Sequence, residues 1–184
     1  MKKFFSVLLL VMVIVQCTQA QQTESTGFDK SKLFFGGNLG GSFGTYTIVN
    51  VSPQVGYRFS EMFAAGVGLN YNYYGYNDGY LSSRQTYVGM NVFGRFYPIP
   101  QLFLQARPEL NYMWASQKIA GGGQDHPSVK INQFVPSFLL GGGAAIPTGR
   151  NGAIMISIMY DVIQNFYSPY YHRAVYGFGY NFGF

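Results

Sequence analysis

Few side chains in this chain can do acid–base or nucleophilic chemistry. Two histidines, His126 and His172, and one cysteine, Cys17, stand among 184 residues. Asp125 precedes His126, Ser128 follows it, and Ser168 lies four residues before His172. A serine with a histidine base and an orienting acid is the outline of a nucleophilic site. Here the groups fall in two polar stretches, 117–129 and 164–172, that read as loops, with no further sign of a catalytic set. They are expected to be solvated loop residues, and the protein is expected not to be an enzyme. Asp125-His126 lacks further ligands at metal-binding spacing. Gly121-Gly122-Gly123 lacks the strand–helix setting and the following Lys-Ser/Thr of a phosphate cradle. No metal and no cofactor is expected. A second set of charges, Arg95, Arg107, Glu109 and Asp161, alternates with apolar residues inside long segments.

The segments that carry those charges are strands. In 101–116, Leu102, Leu104, Ala106, Pro108, Leu110, Tyr112 and Trp114 share one face, and Gln105, Arg107, Glu109 and Asn111 the other. That is a period of two. The same alternation marks 32–42, 45–59, 63–76, 84–97, 130–147, 152–163 and 174–184. In the last, Tyr176, Phe178, Tyr180, Phe182 and Phe184 alternate with small or polar residues. Tight turns are expected at 60–62, 98–100 and 148–151. Longer connections are expected at 77–83, 117–129 and 164–172, with a shorter one at 40–45. Short turns at one end and longer loops at the other describe an up-and-down meander. The predicted fold is all-β, an eight-stranded antiparallel barrel.

The apolar face carries the large side chains, while the other face is crowded with Gly, Ser and Asn. A soluble core built on the small face would leave voids, and an exposed aromatic edge strand invites aggregation. A barrel that turns its large face to lipid and closes its edges avoids both problems. Composition agrees: 18% aromatic and only 10% charged, against about 25% charged in ordinary globular chains. A net charge of +5 is too weak and dispersed to suggest nucleic acid. Lys2 and Lys3, the apolar run 4–15 and Thr18-Gln19-Ala20 read as a signal peptide over 1–20. Cleavage there removes Cys17, although lipidation of Cys17 is the alternative. Residues 21–31 read as a flexible lead-in, and 32–184 as the barrel. Secretion and an even strand number put both termini in the periplasm.

Residues 51–69, VSPQVGYRFSEMFAAGVGL, resemble the second and third strands of the small OmpA/OmpX-like outer-membrane β-barrel family, and 180–184 resemble its carboxy-terminal assembly signal. The resemblance implies the outer membrane of a Gram-negative bacterium. It also implies lipid and lipopolysaccharide around the wall, and recognition of Tyr180, Phe182 and Phe184 by the barrel-assembly machinery. A structural or surface-interaction role is expected, for a monomer. Arg95, Arg107, Glu109 and Asp161 point inward, where charges must pair, and are expected to plug the lumen. A small gated pore is the alternative. Some barrels of this kind act on lipid A with a His, a Ser and an acid, and that is the weaker alternative. Tyr167, Tyr170, Tyr171 and His172 are expected at the loop surface, where a host or glycan ligand would bind.

Overall fold

The computed structural model describes residues 29–42, 46–77, 81–119, 129–149 and 151–183. The strands are β1 (Leu33–Ser42), β2 (Tyr46–Arg58), β3 (Phe63–Asn77), β4 (Leu81–Ile99), β5 (Leu102–Ile119), β6 (Val129–Pro147), β7 (Gly152–Asp161) and β8 (Ala174–Phe182). Each pairs antiparallel with its neighbours in sequence, and β1 closes on β8, giving a closed eight-stranded barrel. The closing seam is short, from Phe35↔Phe182 to Asn38↔Gly179.

Alternation predicts the strands but not their ends. β3 runs to Asn77 and β4 begins at Leu81, so their connection is much shorter than the expected 77–83. The polar residues Ser82 to Gln85 keep pairing with Asn77 to Tyr74 on one side and with Lys118 to Ala115 on the other. Backbone groups bond regardless of side-chain polarity, so the ladder outlives the apolar pattern. β4 continues through Pro98 to Ile99, with a register shift after Phe96. β7 stops at Asp161, two residues before the expected end. Part of the expected lead-in is also ordered: Lys30–Lys32 form a 3-10 turn with Asp29 as its N-cap. Ser31 N and Oγ donate to Asp29 Oδ1 at 2.9 and 2.7 Å, and these bonds hold the Asp29 carboxyl below its ordinary pKa. The expected signal peptide, with Cys17, lies outside the described residues.

The outer wall is apolar: Val67, Met90, Leu104, Phe134, Ile158 and Phe178 are among the exposed side chains. The lumen holds large side chains among its small ones. Phe34, Tyr87, Phe93, Tyr97 and Phe103 are all buried inside it. Glycines make this possible by leaving room opposite large neighbours. A Cβ on Gly56 would meet the Phe34 ring, one on Gly66 the Phe93 ring, and one on Gly89 the Asn111 side chain. Large against small is how a narrow barrel fills its taper.

At Gly141 and Gly143 the obstacle is backbone, the carbonyls of Ile158 and Ile156 on β7. Gly141→Ala or Gly143→Ala should therefore cost about 1–3 kcal/mol, as overpacking does. Gly94→Ala, with nothing within 4 Å of its Cβ, should stay within about 0.5 kcal/mol of wild type. Urea unfolding of refolded barrels in detergent measures this, and equal midpoints for the three variants would contradict the packing account.

Candidate functional site

The lumen is filled in successive levels between the end with the short turns and the end with the long loops. The first level, at the short-turn end, is an apolar cluster of Phe34, Ala64, Phe93, Tyr97, Phe103, Ala145, Ala153 and Met155. The Arg95 guanidinium lies over three of its rings, 4.5 Å from the Phe93 centroid, 5.4 Å from Phe103 and 5.8 Å from Phe34. Its N–H groups go to amide oxygens: Nε donates to Gln105 Oε1 at 2.7 Å and Nη2 to Gln54 Oε1 at 3.1 Å. The Asn181 amide completes the ring, with its oxygen turned to accept from Arg95 Nη1 at 3.1 Å. Arg95 is held in this network by hydrogen bonds and ring faces, without a carboxylate among the described residues. Ring faces and amide oxygens carry partial negative charge, so they hold the cation without one. Arg58, nearer the short turns, stacks on Tyr97 at 5.0 Å.

The second level is polar. Asn91 Nδ2 donates to Asn70 Oδ1 at 2.7 Å, Asn70 Nδ2 to Asn111 Oδ1 at 3.3 Å, and Asn111 Nδ2 to Glu109 Oε2 at 3.1 Å. Glu109 Oε1 ends the chain against Arg107 Nε at 2.7 Å. Two positions apart on one strand, Arg107 and Glu109 share the inner face and form an ion pair. Above it lies a cavity of about 50 Å³ bordered by Asn50, Asn72, Arg107 and Tyr170.

The third level belongs to the connection between β7 and β8, which dips into the lumen. Asp161, fully buried at the end of β7, is its anchor. Phe138 N and Ile163 N each donate to Oδ1 at 3.1 Å, and Ser168 Oγ donates to Oδ2 at 2.8 Å. Ser137 Oγ adds a bond to Ser168 Oγ at 3.0 Å. The ends of the loop are tied by Gln164, whose Oε1 accepts from His172 N at 2.9 Å and whose Nε2 donates to the Asp161 carbonyl. Gln164 and His172 both take a left-handed φ of 52°, which turns the chain in and out again.

That loop overturns one expectation. Tyr170, expected at the surface, is only 7% exposed; it packs with Leu139 and Met159, its hydroxyl 3.5 Å from Asn72 Nδ2. Asp161 pulls Ser168 into the lumen and the tyrosine follows, a long-range contact that no periodicity reveals. Tyr167 and His172 are exposed and Tyr171 half-buried, with Tyr171 edge-on to Phe166 and to His172. Ser168 is thus held by Asp161 and Ser137, while His172 faces outward beside Tyr171. Asp125, His126 and Ser128 lie outside the described residues. In the expected assembly segment, Phe182 is exposed and Tyr180 half-buried, its hydroxyl accepting from Thr148 Oγ1 at 2.9 Å; Phe184 lies outside the described residues.

Above the third level the barrel opens into a cup of about 540 Å³. Strands β2 to β6 form one side, with Ile48, Tyr74, Tyr87 and Met113, and the β7–β8 loop forms the other, with Tyr167 and Tyr171. The Tyr87 hydroxyl ties the two sides together, 3.1 Å from the Tyr167 carbonyl. On the outer surface near this end, Arg84 and Lys130 both pair with Ser116 across neighbouring strands. An edge-to-face cluster of Tyr112, Trp114 and Phe134 lies on the same outer face, two and four residues along β5 from Ser116.

No protein-family model and no curated protein sequence matches the chain. Solved structures do. The attachment invasion locus protein Ail of Yersinia pestis superposes with a TM-score of 0.51 at 12% identity, over 82% of this chain and 93% of that one. Neisserial surface protein A gives 0.42 at 15% identity, over 83% and 94%. The likeness to Ail is one of fold, the closed eight-stranded barrel.

Proposed function

We propose that this chain is a non-enzymatic integral outer-membrane barrel, closed to solutes, that acts through its long-loop end as a surface-interaction protein. One observation carries the reading: among the described residues, bonded side chains fill the lumen at three levels, while a preformed cup opens above them. A filled lumen suits a scaffold that displays its mouth. The apolar outer wall fits lipid, since only closed barrels and helices satisfy their backbones there. Arg84 and Lys130 above the Tyr112–Trp114–Phe134 cluster fit the phosphate-bearing headgroups and interface of the outer leaflet. Ser168 serves as a strut for the loop and is bonded away from His172, which favours the non-enzymatic reading. The exposed Phe182 stays available as part of an assembly signal.

Single cysteines at His172 and Glu61, at opposite ends of the barrel, test the placement. In intact cells a membrane-impermeant maleimide should label position 172 alone. Permeabilising the outer membrane should add position 61. Labelling of position 61 alone, or of both positions in intact cells, would overturn the orientation.

A further inference from the structure

Among the described residues lining the cup, Arg173 is the one charge, and it forms no ion pair with any described carboxylate. Its neighbours on the wall are rings: Tyr74, Tyr87, Phe166, Tyr167 and Tyr171. Between them stand neutral hydrogen-bonding side chains, Ser83 and Gln85. A ligand that satisfies all three kinds of group needs an apolar ring face to lie on an aromatic plane. It needs several hydroxyls at its edge, and one anionic group for the guanidinium fork. We propose that the cup binds the terminal acidic residue of a glycan, a sugar ring that carries a carboxylate.

Size and rigidity fit this ligand. About 540 Å³ lies within the range of small-molecule sites and suits one or two sugar rings. The loop side of the cup is already fixed by Asp161, by Gln164 and by Tyr167 N, which donates to Asn165 Oδ1 at 3.0 Å. A preformed wall spares a weak, polar ligand the cost of ordering it. The floor is closed by Tyr87, Met113 and Val135 packed together, so a chain end can enter and stop. Arg173, on the exposed end of the loop, meets the anion while it is still partly solvated, where the pull is screened by salt.

This assignment rests on the long-loop end being the surface-interaction end, which the cysteine labelling tests separately. The titration uses the full chain refolded in nanodiscs of zwitterionic phospholipid. Two probes are compared, a disaccharide ending in glucuronate and its counterpart ending in glucose. The acidic probe should bind at least about tenfold more tightly, the scale of one charge-assisted hydrogen bond. Arg173→Gln should bring the two probes level, whereas Arg84→Gln, on the outer wall, should leave the preference intact. Tyr171→Ala should weaken both. Equal affinity for the two sugars, a preference that survives Arg173→Gln, or failure of both to bind would each overturn the acidic-sugar site. If position 172 still labels from outside, the surface-interaction reading outlives that result.

Discussion

Replacing Arg95 with alanine should destabilise the barrel by roughly 3–5 kcal/mol, the range for emptying a large buried site. Three losses combine. The guanidinium leaves a hole among Phe34, Phe93 and Phe103, and the three cation–π contacts disappear with it. Gln105, Gln54 and Asn181 are left facing one another without their shared donor, and a buried polar group without a partner costs about 1–3 kcal/mol. Arg95→Met separates these terms, because the methionine stem fills much of the hole but donates nothing. It should recover part of the loss and no more. The urea midpoint of the detergent-refolded protein, followed by its shift in gel mobility on unfolding, gives the comparison. An alanine variant within about 0.5 kcal/mol of wild type would mean that the cage is not a structural element.

The second large effect is expected at Asp161, and it should be local. Asp161→Ala removes one acceptor group that serves Phe138 N, Ile163 N and Ser168 Oγ together. Hydrogen bonds to a charged group contribute about 1.5–3 kcal/mol, so the closed loop should lose roughly 2–4 kcal/mol. The barrel pairs through β7 and β8 independently of this anchor, from Gly152↔Phe182 to Tyr160↔Ala174, and should survive. The loop should open, Ser168 and Tyr170 should leave the lumen, and proteolysis between 162 and 173 should rise on the order of a hundredfold. Cleavage follows the open population when opening is fast. Asp161→Asn keeps an acceptor for the backbone N–H groups and should fall between the two. Unchanged cleavage in Asp161→Ala would show that Tyr170 holds the loop without the carboxylate.

How much of this was legible in the sequence depends on the range of each interaction. Strand number, antiparallel order and closure follow from the period-two runs, because side-chain direction along a strand is set locally. The alternation of β5 puts Gln105, Arg107, Glu109 and Asn111 on one face, which is the buried inner face, and Arg107 pairs with Glu109 because neighbours two apart share that face. Arg95 and Asp161 lie inside, each held by hydrogen bonds rather than by an opposite charge. Arg95 meets Gln54 and Asn181 from strands far away in sequence, and Asp161 meets Phe138 N from β6 and Ser168 from the irregular loop that follows it. Alternation turns Phe93 and Phe103 inward, but the partners of such large side chains lie across strands. Phe34 stands opposite Gly56 and Phe93 opposite Gly66 on neighbouring strands, and only the register reveals that they interlock. Tyr170 is the least legible: periodicity ends with the strand, and the loop SPYYHR gives no sign that its first tyrosine is buried in the lumen while its second lines the cup.

The central claim is that side chains close the lumen, and electrical recording across planar bilayers tests it most directly. Purified wild-type protein should insert without steady conductance, while Arg95→Ala, with its cage emptied, should show frequent leak events under the same conditions. Reproducible single-channel steps from the wild-type protein would contradict the closed barrel and point instead to a pore.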